Sequence, residues 1–393
     1  MWLLLSVLPL ALGIIDSGRT AGSPPAAERP RVREFGIRIG VLDPGPLNAI
    51  TDVAGVKVGH VTLIKGADVR TGVTAVVPHG ENIFQEKVPA GVSVGNGYGK
   101  LTGFTQVEEL GTLETPIILT NTLSVPTAAE ALIDDALARP GNEHVTSVNP
   151  VVGETNDGWL NNIRGRHVTK ADVLEAIRGA SGGPVAEGSV GAGTGTTCLG
   201  FKGGIGTASR RLTAARGGYT VGLLVQTNFG GVLTIDGLPA GRILGEEGGG
   251  PLPTPRHGAL GPEEAEGGSC MIIVATDAPL DARNLGRLAK RALLGIGRTG
   301  GYFANGSGDY AIAFSTAPGL RIPQRSQEPT RTVTLLSDEN MSPLFQAAVE
   351  AAEEAILDSL FKSGPMEGKD GHRAGALPLE RIRALVGARG GTE

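Results

Sequence analysis

Apolar residues along the chain fall into two patterns, short aliphatic runs and longer stretches with helical spacing. The short runs end at Gly, Pro, Asn or Asp and predict strands at residues 56–63, 72–77, 116–119, 219–225, 270–276 and 310–314. The longer stretches predict helices at residues 128–138, 281–294 and 343–361. A further helix begins at Thr169, which forms a capping-box pattern with Asp172. Strands mixed with helices in this way indicate a layered α/β or α+β fold.

The strand 270–276, the helix 281–294 and the strand 310–314 form one β-α-β unit. We expect its two strands to be parallel, so that both start at the same edge of the sheet. Ser269 precedes the first strand, and the segment Asn305-Gly306-Ser307-Gly308-Asp309 precedes the second. Adjacent strands lie about 5 Å apart, so Ser307 and Asp309 are predicted to reach the Ser269 hydroxyl or amine directly or through one water. The alternative is a turn signature without chemistry.

Ser269 also follows a segment rich in Gly, Pro and Glu, residues 245–268. Gly268 has no side chain to resist the unusual backbone angles that attack on its carbonyl requires. The hypothesis is that the chain cleaves itself between Gly268 and Ser269. Ser269 then carries both the nucleophilic hydroxyl and a free α-amine, with a pKa near ~7.7–8.0, as general base. The alternatives are an ordinary loop before a core strand and Cys270 as nucleophile, with cleavage one residue later.

The composition is that of a globular protein, with 393 residues, 40% apolar and 19% charged. The 62 glycines and the 4% aromatic content indicate many tight turns and an aliphatic core. A net charge of −5 without a clustered basic face argues against a nucleic-acid partner. Small or neutral partners are expected.

The N-terminal segment Met1–Gly22 contains an apolar run, residues 2–15, with the length of a signal-peptide core. This run is too short for a confident membrane span. The prediction is export to the periplasm or medium with removal of Met1–Gly22 and no stable membrane contact afterwards. Because a basic n-region is missing, a single-pass anchor and a mistaken start site stay open, and without a signal the protein is cytoplasmic. Residues 23–42 are predicted as a linker, and Cys198 and Cys270 do not define the compartment.

Other polar segments suggest further site residues. The segment 154–160 joins a carboxylate pair, an amide and Trp159 in a predicted polar turn, which suits capture of a substrate ammonium or is a surface turn. Asn228 follows the strand 219–225, where its side-chain N–H either stabilises an oxyanion or completes a turn. The glycine-rich segment 191–197 matches neither common nucleotide-binding motif, because Lys202 is misplaced. The six histidines lack metal-ligand spacing, and no G-x-S-x-G elbow is present.

Taken in order, these segments resemble the DmpA-type L-aminopeptidase/D-esterase family of self-cleaving N-terminal nucleophile hydrolases, which includes β-peptidyl aminopeptidases. The resemblance extends from about Asn48 to Glu380, and its matching segments are residues 48–60, 151–158, 191–195, 226–230, 268–269 and 305–309. It implies an αββα sandwich of the DmpA and ornithine acetyltransferase type, as a single domain over residues 43–393. It also implies self-cleavage into chains 43–268 and 269–393, and a homo-oligomer of such heterodimers.

The resemblance further implies removal of N-terminal residues from peptides, amides or esters without a metal or cofactor. The matching positions are Ser269 as nucleophile, Ser307 and Asp309 as the pair that orients or activates it, Asn228 as oxyanion donor and Glu154 as acceptor of the substrate amine. Two positions depart from some relatives. Asp309 replaces a Glu, and Trp159 lies near a site tyrosine, although an indole donates a hydrogen bond and cannot accept one. The rivals are an ornithine-type acetyltransferase and an uncleaved scaffold protein.

Overall fold

The computed structural model describes residues 29–247 and 268–390. The predicted signal segment Met1–Gly22 lies outside the described residues, as does most of the segment 245–268. The α-helices are α1 (Phe104–Leu110), α2 (Val125–Leu137), α3 (Lys170–Arg178), α4 (Ala240–Glu247), α5 (Ala282–Ala292), α6 (Leu294–Arg298), α7 (Ser342–Phe361) and α8 (Leu379–Gly390). The strands are β1 (Lys57–Lys65), β2 (Val69–Val77), β3 (Glu86–Gly97), β4 (Leu101–Thr102), β5 (Thr112–Leu113), β6 (Ile117–Asn121), β7 (Val151–Thr155), β8 (Thr197–Cys198), β9 (Phe201–Lys202), β10 (Ile205–Arg211), β11 (Thr220–Asn228), β12 (Gly268–Thr276), β13 (Ser307–Ser315), β14 (Ile322–Pro323), β15 (Met366–Glu367) and β16 (Arg373–Ala374).

Two main sheets carry the fold. The smaller has the strand order β1-β2-β6-β7-β4, and the larger has the order β10-β11-β12-β13-β3-β14, with β5 also paired to β3. In the larger sheet β12 and β13 are parallel, whereas β11 is antiparallel to β12. The predicted parallel pairing within the β-α-β unit is therefore confirmed, and Ser269 and Ser307 lie at the same edge of the sheet.

The two sheets stack face to face, and helices cover both outer faces. α5 and α7 pack on the larger sheet, and α2 and α3 pack on the smaller one. Within the described part of the chain, three separate apolar clusters fill the layers between helices and larger sheet, between the two sheets, and between smaller sheet and helices. These layers confirm the predicted αββα sandwich, in which each sheet buries both faces.

Side-chain alternation along β12 decides which face each residue presents. Ile272 and Val274 belong to the cluster beneath α5 and α7, while Met271 and Ile273 belong to the cluster between the sheets. Because successive side chains of a strand point to opposite faces, Ser269 shares the face of Met271. The hydroxyl of Ser269 is therefore presented toward the layer between the sheets.

The prediction of a linker over residues 23–42 is wrong for its described part, residues 29–42. Val32 and Ile39 are buried in the cluster beneath α7. Arg33 forms an ion pair of 2.7 Å with Glu354 of α7. The irregular composition of this arm hid its role, because its anchors are arginines whose partners lie far along the chain, 321 positions away in the pair of Arg33 with Glu354.

Local sequence signals set several element boundaries. Asp281 caps α5 by accepting a hydrogen bond of 2.8 Å from the Asn284 N–H. The predicted capping box of Thr169 and Asp172 is present at α3. The predicted helix 281–294 is divided between α5 and α6. Among the described residues, no helix combines the length and the apolar character needed to cross a membrane.

Candidate active site

Ser269 is the second residue of β12 and lies between two neighbouring strands. It pairs with Asn228 of β11 and with Gly308 of β13, and it is 5% exposed. Its Oγ donates a hydrogen bond of 2.5 Å to the carbonyl oxygen of Gly268. The hydroxyl therefore lies against the carbonyl group of the bond that we predict it cleaves.

Gly268 is needed for a reason other than the one the sequence suggested. It lies in β12 without a positive φ, so left-handed backbone angles do not explain the glycine. A Cβ atom at this position would lie 2.6 Å from the Phe229 Cα and 2.7 Å from the Asn228 carbonyl oxygen. Only glycine fits here without moving the end of β11, and this close approach keeps the scissile position beside Asn228.

Asn228 is the last residue of β11 and the direct cross-strand partner of Ser269. Side chains of such pairs have Cβ atoms about 4.5–5.5 Å apart on one face of the sheet. The Asn228 Oδ1 accepts a hydrogen bond of 3.1 Å from the Thr197 N–H, and Nδ2 donates to the Asn156 carbonyl oxygen at 3.1 Å. The amide is thus oriented with its NH₂ group as the donor available on the face of Ser269.

Ser307 and Asp309 are buried in the first residues of β13, whereas the sequence placed them in a turn before the strand. In the parallel pairing Ser307 lies beside Gly268, and Asp309 lies beside Cys270. A β-bulge against β3 falls between Asp309 and Tyr310, a feature that often re-aims side chains near active sites. Asp309 shares its face with Ala311, beneath the helices. The side chains of Ser307 and Asp309 therefore lie on the face of the sheet opposite the Ser269 hydroxyl.

Asp309 lies in an environment that favours proton uptake. Burial raises the pKa of Asp309 to about 6, and the nearby Ser307 hydroxyl and Cys270 N–H act in the opposite direction. Neither carboxylate oxygen, nor the Ser307 Oγ, has a hydrogen bond of normal geometry to another described residue. Buried polar atoms are almost always paired, and exceptions with a raised pKa mark candidate functional groups.

Glu154 is a buried carboxylate of the smaller sheet. It belongs to β7 and is 2% exposed, so the predicted polar turn is wrong at this residue. Its Oε1 accepts a hydrogen bond of 2.9 Å from the Lys100 N–H, and its Oε2 accepts one from the Thr122 hydroxyl. Burial raises the pKa of Glu154, and these two donors lower it. The carboxylate is held rigidly by its partners in a weakly hydrated layer.

The turn between β3 and β4 connects Glu154 with the edge that holds Ser269. A Cβ atom at Gly99 would lie 3.2 Å from the Glu154 Oε1 and 3.0 Å from the Gly308 Cα. A Cβ atom at Gly308 would in turn lie 3.4 Å from the Ser269 Oγ. The two glycines therefore let this turn pack directly against β13, between the Glu154 carboxylate and the Ser269 hydroxyl.

Tyr310 is a site residue that the sequence reasoning missed. Its hydroxyl donates a hydrogen bond of 2.8 Å to the Gly99 carbonyl oxygen. Burial raises the pKa of Tyr310, and the nearby carboxylates of Glu154 and Asp309 raise it further. The available signal was its position directly after Asp309 in a predicted strand. Successive side chains of a strand point to opposite faces, so residue 310 lies on the other face of that strand.

Trp159 and Cys270 are the two remaining residues that the sequence singled out, and the side chain of Cys270 lies on the face of β12 opposite Ser269. Trp159 stacks on His372, with ring centroids 3.6 Å apart and planes at 4°. Its predicted role as a wall of the substrate site stays a prediction. Cys270 is fully buried, and burial with the neighbouring Asp309 raises the pKa of its thiol well above the usual range. Because the thiolate is the reactive form, this environment disfavours Cys270 as the nucleophile.

The described residues also bear on metal binding. Across residues 29–247 and 268–390, no group of three His, Cys, Asp or Glu side chains has an arrangement that could hold a metal ion. The polar groups of the candidate site are the carboxylates of Glu154 and Asp309, the hydroxyls of Thr122, Ser307 and Tyr310, and the amide of Asn228. These groups are suited to proton transfer and oxyanion binding.

The αββα sandwich and the serine at the edge of its larger sheet define an N-terminal nucleophile hydrolase. Residues 48–374 match the pattern of peptidase family S58, and the chain belongs to this family. The beta-peptidyl aminopeptidase BapA of Sphingosinicella microcystinivorans is 40% identical over 389 residues, which cover 95% of this chain and 96% of the relative.

Two solved structures are similar over nearly the whole fold. A Burkholderia sp. beta-aminopeptidase superposes with a TM-score of 0.82 at 42% identity, covering 91% of this chain and 98% of its own. The L-aminopeptidase D-Ala-esterase/amidase of Ochrobactrum anthropi, described as a variant of the Ntn hydrolase fold, has a TM-score of 0.82 at 38% identity and covers 92% and 99%. The predicted fold, family and enzyme class are confirmed, whereas the roles of the individual site residues stay predictions.

Proposed function

We propose that this protein is a serine aminopeptidase that cleaves its own chain before Ser269 and then uses the same hydroxyl on substrates. The observation that carries the proposal is the position of the Ser269 Oγ, 2.5 Å from the Gly268 carbonyl oxygen and opposite the Asn228 amide. Nucleophile, scissile carbonyl and oxyanion donor share one corner of the layer between the sheets.

Self-cleavage begins when the Ser269 Oγ attacks the Gly268 carbonyl carbon. The bond between this carbon and the Ser269 nitrogen breaks, the hydroxyl proton passes to that nitrogen, and an ester forms. Water then hydrolyses the ester, leaving a carboxylate on Gly268 and a free amine and hydroxyl on Ser269. From the neighbouring strand β13, Ser307 and Asp309 orient the new amine.

In turnover the Ser269 amine accepts the hydroxyl proton while the oxygen attacks the first acyl carbon of the substrate. An asparagine amide has two N–H donors, and the Asn156 carbonyl occupies one of those of Asn228. The other is the donor for the developing oxyanion. The bond from the acyl carbon to the leaving amine or alcohol then breaks, and the protonated Ser269 amine returns its proton to that group. Water hydrolyses the remaining acyl-enzyme ester, which releases the acid and restores Ser269.

Glu154 gives the reaction its requirement for a free amine. A carboxylate accepts about four hydrogen bonds, and the two oxygens of Glu154 each have one formed donor, the Lys100 N–H and the Thr122 hydroxyl. The remaining capacity suits a substrate ammonium, which forms a strong charge-assisted bond. Small peptides, amides and esters with a free N-terminal amine are the proposed substrates, including those beginning with a β-residue as in the relatives' names.

Export and assembly are part of the same proposal. Removal of Met1–Gly22 is supported by its apolar pattern, and a homo-oligomer of cleaved heterodimers is supported by the family resemblance. Native mass measurement of the protein from the periplasm or medium tests both. An unexported monomer with an intact N-terminus would contradict them.

The function is tested with aminoacyl amides and matched N-acetylated amides, using wild type and Ser269→Ala. We expect the wild type to hydrolyse the free-amine substrates and to leave the acetylated ones unchanged. Ser269→Ala should lose activity by at least about 10³-fold, because the nucleophile and its amine base are disabled together. An active Ser269→Ala variant, or equal hydrolysis of both substrates, would contradict the proposed function. Acetyl transfer to ornithine in place of hydrolysis would favour the acetyltransferase.

A further inference from the structure

A lysine lies fully buried below the candidate site. Lys202 has no exposed surface, and its Nζ donates hydrogen bonds to the carbonyl oxygens of Gly203, at 2.7 Å, and Gly193, at 2.9 Å. Burial lowers the pKa of Lys202 to about 7, while the attraction of Asp157 acts in the opposite direction. Burying an ammonium group is costly, and the two carbonyl partners of Lys202 offset part of this cost.

The glycine-rich segment 191–197 supplies the surroundings of this lysine. A Cβ atom at Gly193 would lie 2.4 Å from the Ile205 N, and one at Gly203 would lie 2.7 Å from the Thr227 carbonyl oxygen. The glycines therefore allow close packing of the segment against β10 and β11. The segment 191–197, which does not match a nucleotide-binding loop, instead packs around the Lys202 ammonium.

Lys202 is connected to Asn228 through the β8–β9 hairpin. Thr197 is the direct antiparallel partner of Lys202 in this hairpin. The Thr197 N–H donates to the Asn228 Oδ1 at 3.1 Å. Two further backbone hydrogen bonds hold the hairpin in place. The Gly203 N–H donates to the Thr196 carbonyl oxygen at 3.1 Å, and the Leu199 N–H donates to the Phe229 carbonyl oxygen at 2.8 Å.

Together with the Asn156 carbonyl, which accepts from the Asn228 Nδ2, this connection fixes the orientation of the Asn228 amide. Rotation of an asparagine amide by half a turn exchanges its oxygen with its NH₂ group. In the rotated state an acceptor would face the position of the oxyanion, and catalysis would be lost. The Thr197 N–H opposes this rotation because it would then meet another donor.

We infer that Lys202 is a positioning residue for the oxyanion donor Asn228. Its ammonium ties the Gly193 and Gly203 carbonyls together, and the hairpin held in this way keeps the Thr197 N–H on the Asn228 Oδ1. This inference rests on the proposed function, since it gives Asn228 the role of oxyanion donor. Lys202 itself does not touch the substrate.

The test compares Lys202→Met with wild type, and the double variant with Asn228→Ala alone. Lys202→Met keeps the length of the side chain and removes its charge. The mass of each denatured protein gives its cleaved fraction, and rates are expressed per free Ser269 terminus. This normalisation separates an effect on turnover from an effect on self-cleavage.

In the wild-type background we expect Lys202→Met to lower kcat about tenfold or more with KM changed by less than about twofold. In the Asn228→Ala background the same substitution should change kcat by less than about twofold, because residues that act through one another are not additive. Lys202→Arg keeps the charge and should restore part of kcat.

Equal losses of kcat in both backgrounds, or a lower melting temperature with kcat unchanged, would overturn the role of Lys202 and leave the proposed function intact. A wild type that stays uncleaved and inactive would instead contradict the proposed function. Where Lys202→Met gives no folded protein, Lys202→Gln carries the test. This shorter neutral donor is expected to lower kcat in the wild-type background and to have no further effect beside Asn228→Ala.

Discussion

Two buried polar clusters of this protein differ in how completely they are paired. The first, which we call the arm network, joins the N-terminal arm and β10 to α7 through ion pairs of Arg31 with Glu187 and Asp358, Arg33 with Glu354, and Arg210 with Glu350 and Glu354. The second lies around Ser269, where Ser307 Oγ and both Asp309 oxygens have no hydrogen bond of normal geometry among the described residues.

The difference separates groups that hold the fold from groups that await a reaction. In the arm network each arginine faces a carboxylate, so the charges compensate one another within the protein. Burial raises carboxyl pKa values in both clusters, at Glu187 and Asp358 of the arm network and at Glu154 and Asp309 of the site, so the pKa values do not separate the two. The Asp309 oxygens, however, keep a hydrogen-bonding capacity that suits an amine or a moving proton. A saturated buried cluster thus indicates a structural role, and an unsaturated one indicates chemistry.

The largest expected effect is on folding and comes from the arm network. Arg210→Met leaves Glu350 and Glu354 buried without their shared partner, and breaking such a pair costs about 3–5 kcal/mol of the free energy of unfolding. Denaturant unfolding measures this loss. Activity per folded, cleaved molecule should stay at the wild-type value. A stable variant with a lowered kcat would instead assign Arg210 to the catalytic groups and contradict the structural role of the arm network.

The next effect is on catalysis and comes from Asn228. Asn228→Ala removes the oxyanion donor and should lower kcat by about 10²–10³-fold. The matched control is Asn142→Ala, because Asn142 is also a buried amide, donating to the Ala136 carbonyl oxygen at 2.6 Å. The control should lose stability and keep kcat. Similar kcat values for both variants would exclude Asn228 as the donor.

Glu154→Gln is expected to act on substrate amines. Loss of a charged hydrogen bond of about 1.5–3 kcal/mol lowers kcat/KM for a free-amine substrate by about 10–150-fold. An ester that carries a hydroxyl in place of the amine, a slow substrate of the wild type on this account, is the control. Its kcat/KM in Glu154→Gln should stay within about threefold of the wild-type value for the same ester. Steady-state kinetics with the two substrates decide the matter. Equal losses would indicate that Glu154 serves the reaction in another way.

The smallest effect is a pH dependence from Asp309. Its ordinary pKa of 3.8 is raised to about 6 in the fold, so kcat/KM should fall as the pH drops through about 6 and the carboxylate is protonated. The free energy of unfolding changes in the opposite direction and increases as the pH falls. The reason is that the folded state binds more protons than the unfolded state between the pKa values of 3.8 and about 6. This contribution is present at low pH and is lost as the pH rises through about 6.

Asp309→Asn should remove this limb of the pH profile and lower activity throughout. Asp277→Asn is the matched control, because Asp277 also has a pKa raised by burial but follows the opposite end of β12. A wild-type limb near pH 6 that persists in Asp309→Asn would assign it to another group. A changed profile in the control would indicate a general effect of buried carboxylates.

Local patterns predicted much of the fold. Helical spacing indicated α7, the capping box indicated the start of α3, and the β-α-β rule brought Ser269 and Ser307 to one edge of the sheet. These features depend on residues near one another in the sequence or on a general topological rule. Asn228 was predicted as a strand end for the same reason, and β11 ends at this residue.

Features that depend on distant contacts were missed. The arm was predicted as a linker because nothing near Arg33 in the sequence indicates its ion pair with Glu354, which lies far along the chain. Glu154 was assigned to a polar turn because the apolar part of β7 is short, and the donors that allow its burial come from Thr122 and the turn at Lys100. The need for Gly268 lies in the close approach of β11, which no local pattern contains.

The central claim is tested most directly by the intact mass of the purified protein under denaturing conditions, with sequencing of the N-terminus of any smaller chain. We predict two chains, the smaller one beginning with Ser269-Cys270-Met271, and a single uncut chain for Ser269→Ala. A wild-type protein that stays a single chain over days, or a smaller chain that begins at Cys270, would contradict the assignment of Ser269 as the nucleophile.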